Sequence, residues 1–143
     1  MKRTEKQELA LCDGLVKQLS NAGRQAIVHT NPPHRMKQTL GVPDRRYRVF
    51  GFCLAFESKA EHGKLTREQH AYLTAELDHG ALAACGTFDD LHALLVELRS
   101  ARTTGNAELA IRSCRRIIGA WSQRGFRGEP APKLSPGKAQ CER

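Results

Sequence analysis

The sequence predicts an α/β fold: a mixed sheet flanked by helices, with an extra helix near the C-terminus. Two observations carry this. Stretches with helical apolar spacing alternate with short apolar runs of strand length, and glycines or good helix-capping residues stand at the joints. The chain of 143 residues is one domain's worth and long enough to bury a core, with 40% hydrophobic and 27% charged residues.

Thr4 to Ala22 has Leu11, Leu15 and Leu19 at four-residue spacing, widened by Leu9 and Val16, and Gly23 suits a helix end. Glu8 falls on the same predicted face, where an unpaired carboxylate is costly, while Thr4 with Glu5 or Gln7 fits a simple capping role. Ala26–His29 is a short first strand. Thr30–Leu40, with Pro32, Pro33, His34, Arg35 and Lys37, has no hydrophobic period and reads as a loop. Pro43 holds Val42 extended at the entry to the next strand.

Arg45 to Phe56 is rich in aromatic and aliphatic residues with Gly51 near its middle, so it reads as two strands and a turn. Ala60–Lys64 is a loop, and Thr66 with Gln69 forms a capping box for a helix to about His79, ended by Gly80. Ala81–Cys85 is a short buried strand. Thr87 caps a helix from Asp89 to about Ser100, striped by Leu91, Leu94, Leu95 and Leu98. After a break at Arg102–Gly105, Asn106 caps the added helix to about Gln123, with Leu109, Ile111, Ile117, Ile118 and Trp121 as its apolar positions. Packing on its own domain is the default for that helix, and the composition from Arg127 onward predicts a flexible tail.

The chemistry concentrates in Pro43-Asp44 and Glu57-Ser58-Lys59. Strand alternation points Glu57 and Lys59 the same way, about 7 Å apart, and turns Ser58 opposite. With Asp44 opening the partner strand, two carboxylates and an ammonium converge at one end of the hairpin. Such oxygen donors suit Mg²⁺, which can lower the pKa of a bound water and polarise a phosphoryl oxygen. A nearby ammonium can orient that water. Asp44, Arg46 and Arg48 share a face if the strand is regular, and the arginines would then either neutralise the carboxylate or extend a phosphate track. A bulge would change which side chains point inward.

Taken together, Pro43-Asp44, Glu57-Ser58-Lys59 and the following Gly63-Lys64-Leu65-Thr66-Arg67-Glu68-Gln69 resemble the VRR-NUC branch of the PD-(D/E)xK nuclease superfamily. The resemblance covers roughly residues 5–98. It implies a restriction-endonuclease-like core and hydrolysis of phosphodiester bonds in DNA. It implies Asp44 and Glu57 as ligands of Mg²⁺ or Mn²⁺ with the Ser58 carbonyl, Lys59 orienting water, and Gln69 supporting the site. A metal-site glutamate is also expected on the first helix, with Glu8 as the candidate and Glu5 or neither as the alternatives. Stand-alone members of this type imply a homodimer acting on branched DNA such as a Holliday junction; the small size of the chain points to a phage or bacterial source, and its scattered cysteines to a cytoplasmic setting. One departure stands out: the motif aspartate is followed by Arg45 where an apolar residue is usual. Two rivals stay open. One is a basic DNA-binding module without catalysis; the other is the same fold acting on flaps, linear duplex or RNA.

The formal charge of +8 fits a polyanionic partner. Residues 31–50 and residues 101–126 each carry five bases against one acid, whereas residues 51–100 carry eight acids against four bases. Basic arms around an acidic metal site would have this distribution, with Arg35, Lys37, Arg45, Arg46, Arg48 and Lys64 as candidate phosphate contacts. Nothing in the sequence approaches a membrane span, and Met1–Glu5 leads into a charged helix rather than a signal peptide. Cys12, Cys53, Cys85, Cys114 and Cys141 are odd in number and lack zinc spacing, so reduced thiols are expected.

Overall fold

A computed structural model describes residues 2–20, 28–30 and 41–130. The elements run α1 (Glu5–Ser20), β1 (Val28–Thr30), β2 (Arg45–Val49), β3 (Phe52–Ser58), α2 (Arg67–Asp78), β4 (Leu82–Gly86), α3 (Phe88–Thr104) and α4 (Ala107–Ser122). Among the described residues they form one four-stranded mixed sheet in the order β1-β2-β3-β4. The first three strands are antiparallel, and β4 runs parallel to β3, reached through α2. The predicted α/β order and mixed sheet between helices therefore hold.

The β2–β3 hairpin closes on Phe50 and Gly51, at φ 51° and 80°. Two consecutive left-handed residues are what a two-residue turn of the primed kind requires, because its twist matches that of the strands. The register then runs without a bulge from Val49 opposite Phe52 to Arg45 opposite Phe56. Successive residues of β2 reach different helices: Arg45 and Tyr47 bond Asp13 of α1, whereas Arg46 bonds Tyr72 and Glu76 of α2. By strand alternation, α1 and α2 cover opposite faces of the sheet. β4, buried from Leu82 to Gly86, is apolar throughout because helices cover both its faces.

Capping boxes at Thr66–Gln69 and Thr87–Asp90 start α2 and α3, and Asn106 caps α4. α3 runs past the expected break. The Thr103 and Thr104 hydroxyls donate back to the carbonyls of Arg99 and Ser100, and Gly105 at φ 68° ends the helix. α4 packs on α3, β4 and α2 through Ala110, Ser113, Cys114, Ile118 and Trp121, while Leu109, Ile111 and Ile117 lie at the rim of the core.

The first helix departs from its expected face. Glu8, Cys12 and Val16 form its buried line, Leu15 and Leu19 are partly buried, and Leu11 is 40% exposed. The wheel is turned because Glu8 finds partners inside, and a satisfied carboxylate can be buried where an unpaired one cannot. Arg127, expected in the tail, donates its amide to Leu65, and Glu129 pairs with Arg67 at 2.8 Å. The rest of the expected tail, residues 131–143, and most of the loop at 30–40 lie outside the described residues. No helix among those described is long and apolar enough to cross a membrane.

Gly41 fixes the approach to Asp44. At φ 83°, a Cβ built there would lie 2.3 Å from the Glu68 carbonyl oxygen and 2.7 Å from the Gln69 nitrogen. Gly41→Ala is expected to destabilise the fold by about 1–3 kcal/mol, the usual range for overpacking. Urea unfolding midpoints check this; an unchanged midpoint would contradict the packing.

Candidate metal centre

The hairpin register, carried one step beyond Arg45 and Phe56, sets Asp44 opposite Glu57. Asp44 Oδ2 accepts the Ser58 amide at 3.2 Å, which ties the carboxylate to the end of β3. The first turn of α1 is fastened to the same place, since the Ser58 hydroxyl donates to the Glu5 carbonyl at 3.4 Å. The outcome is a group of three carboxylates, Glu5, Asp44 and Glu57, whose nearest oxygens lie within 4.8 Å of one another. Lys59 continues β3 and is held to β4 by its amide, which donates to the Gly86 carbonyl at 2.8 Å. Its side chain is 1% exposed, and the ammonium stands 3.7 Å from Glu57 Oε2.

Gathering three acids against one ammonium is electrostatically unfavourable without a further cation. Burial is the main cause pushing the Glu57 carboxyl up from 4.5 to about 8. The negative charge of Asp44 raises it further, Lys59 opposes, and a hydrogen bond with Asp44 and the charge of Glu5 add smaller upward contributions. A divalent cation reverses that balance, because three hard oxygen donors in reach of one another match what Mg²⁺ or Mn²⁺ takes. The donor set therefore fits such an ion, and nothing in it favours the soft thiolate chemistry that zinc shares with copper.

The first helix supplies Glu5 to this group, and Glu8 is turned elsewhere. Glu8 accepts from Arg3 Nε at 2.9 Å and from the Phe88 amide at 3.3 Å, so it anchors α1 to the start of α3. Thr4 and Gln7 exchange capping bonds, which makes Glu5 the first helical residue and places it at the tip of the helix over the end of β3. That capping pair was the sequence signal for choosing Glu5, since it marks where the helix begins. Gln69 has its side-chain oxygen engaged by the Thr66 amide at 2.9 Å and makes no hydrogen bond to the three carboxylates.

The basic candidates divide. Arg45 grips Asp13 with Nε at 3.1 Å and its own neighbour's carbonyl, Asp44 O, with Nη1 at 3.0 Å; the pair is mostly shielded. The unusual residue after the motif aspartate thus pins β2 to α1. Arg46 donates to the Tyr72 hydroxyl at 2.7 Å and approaches Glu76, pinning the other face to α2. Both guanidiniums are paired with carboxylates of their own chain. Arg48 is exposed, Lys64 is partly exposed, and Arg35 and Lys37 lie outside the described residues.

No family model matches this chain, and no curated protein or solved structure matches it either. Fold and site together define an α/β chain with a carboxylate–lysine centre whose acids could hold a metal ion.

The raised Glu57 carboxyl has a consequence for stability. Between about pH 4.5 and about pH 8 the folded chain keeps a proton there that the unfolded chain releases, so metal-free stability falls as pH rises through that window and then levels. Thermal melts in EDTA are expected to show this decline, to lose it in Glu57→Gln, and to recover stability at pH 8 on adding Mg²⁺ or Mn²⁺. A wild-type pH profile identical to that of Glu57→Gln would contradict the proposed environment.

Proposed function

We propose that the chain is a Mg²⁺- or Mn²⁺-dependent nuclease of the VRR-NUC type, with a restriction-endonuclease-like core, that hydrolyses phosphodiester bonds in DNA. One observation carries the reading: Glu5, Asp44 and Glu57 meet at the end of the hairpin with the Lys59 ammonium against Glu57. The order of these groups along the sequence also supports it, because the hairpin and the helix at Thr66 follow the motif spacing described above.

In this reading Asp44, Glu57 and Glu5 hold the ion, joined by the Ser58 carbonyl. The bound ion supplies Lewis-acid polarisation of a phosphoryl oxygen and acidifies water. Lys59 is fixed twice, by its amide in the sheet and by the Glu57 carboxylate, so its ammonium has little freedom. It orients the attacking water and meets negative charge developing on the phosphate, the kind of prearranged donor that contributes most in a shielded site. Gln69 acts at one remove: its capping box fixes the start of α2, on which Gly41 and the approach to Asp44 rest. Branched DNA is the proposed substrate and a homodimer the proposed working form, with one site for each strand.

The test is cleavage of a four-way junction, a 5′ flap, plain duplex and an RNA hairpin, each with Mg²⁺, Mn²⁺ or EDTA. Metal-dependent cutting of DNA is expected, with Asp44→Asn and Lys59→Met lowering the rate at least about 100-fold while DNA binding persists. Glu5→Gln should impair cutting much more than Glu8→Gln. Cleavage undiminished in both Asp44→Asn and Lys59→Met would refute the site, and binding without metal-dependent cutting would favour a DNA-binding module. Paired symmetric nicks on the junction with a dimeric mass would support the branched-DNA homodimer; single nicks from a monomer would contradict it.

A further inference from the structure

The loop that leaves the metal centre contributes to two clefts of different charge, which share Glu61. After Lys59 the chain turns on itself, with the Gly63 amide donating to the Ala60 carbonyl at 2.9 Å. Gly63 lies so close to the site that a Cβ built on it would be 3.6 Å from the Lys59 Cβ. One cleft, of about 300 Å³, is lined by Glu61, His62, Gly63, Lys64 and Arg124. The second, of about 350 Å³, is lined by Lys2, Arg3, Glu8, Glu61, Thr87 and Asp89.

Their charges differ in kind. The second cleft has two bases against three acids, and its Arg3 is already engaged by Glu8 and Asp89. In the first, two permanent cations face a single carboxylate. Arg124 is held in place rather than paired: its guanidinium lies 3.7 Å from the Trp121 ring centroid and one Nη donates to the Glu61 carbonyl at 2.6 Å. That use leaves most of its five N–H donors for another acceptor. Among the described residues the Lys64 ammonium has no carboxylate partner. A guanidinium fixed by stacking beside an uncommitted ammonium, in an open concavity, is the chemistry that takes a phosphodiester.

We infer that the Glu61–Lys64/Arg124 cleft holds a backbone phosphate of the nucleic-acid substrate next to the one cut at Lys59. This rests on the nuclease reading and assigns the grip to residues other than Arg45 and Arg46, which internal partners occupy. Arg124 comes from the turn after α4, so the added C-terminal helix gains a part in substrate binding.

The experiment is fluorescence anisotropy of labelled duplex and four-way-junction DNA, with Ca²⁺ in place of Mg²⁺, across roughly 50 to 200 mM salt. Lys64→Ala and Arg124→Gln should each make the slope of log K against log salt shallower by about 0.9, the value of one lost phosphate contact. Lys64→Arg should keep the wild-type slope, and Glu61→Gln should tighten binding. Lys64 stands on a partly exposed loop, so its variants report the contact even if Arg124→Gln unsettles Trp121. A wild-type protein that binds and cuts DNA, with slopes unchanged in Lys64→Ala and Arg124→Gln, overturns this inference alone. A wild type that neither binds nor cuts overturns the nuclease reading and this one with it.

Discussion

Carboxyl groups crowded together at the end of a sheet are the constraint on which the rest of this structure depends. Asp44 and Glu57 face each other across the hairpin, and α1 brings Glu5 to them although a third carboxylate adds repulsion. Folding tolerates the arrangement because strong local devices fix the backbone around it. The left-handed pair Phe50–Gly51 sets the register, the Ser58 amide and hydroxyl bond Asp44 and the Glu5 carbonyl, and β4 clamps Lys59. An arrangement that raises the energy of the resting chain and is nevertheless built so firmly is the pattern expected of a functional site.

The arginines show how the scaffold keeps that end of the sheet rigid. Arg45 and Arg46 are consecutive, so strand alternation sends one to α1 and the other to α2. Each forms a partly shielded contact that locks a helix against the strand bearing Asp44. Tyr47 adds to the first lock through its hydroxyl on Asp13, 2.7 Å away, with its ring buried against Phe56. Arg45 and Arg46, which look like part of a phosphate track in the sequence, thus help to hold the end of the sheet that carries the acids.

Much of this was legible in the residues because it rests on local rules. The hairpin, the capping threonines at 66 and 87, the buried strand before Thr87 and the leucine stripe of α3 all follow from spacing within a few positions. What the sequence did not disclose depends on contacts distant along the chain. The buried face of α1 turned on whether Glu8 had partners, and of the two it finds Arg3 is five positions away but the Phe88 amide lies 80 positions away. The roles of Arg45 and Arg46 turned likewise on Asp13 and Tyr72. The extent of α3 differs from the sequence expectation for another reason, since threonines that read as a break bond back to their own helix.

The central claim is that the three carboxylates are arranged for an ion. Its most direct test is anomalous scattering from crystals of the protein soaked in Mn²⁺. The account predicts a peak bonded by oxygens of Asp44, Glu57 and Glu5, with the Lys59 ammonium alongside and unbound to the ion. Full Mn²⁺ soaking that leaves no peak there, with the acids satisfied by Lys59 and by one another, would contradict it.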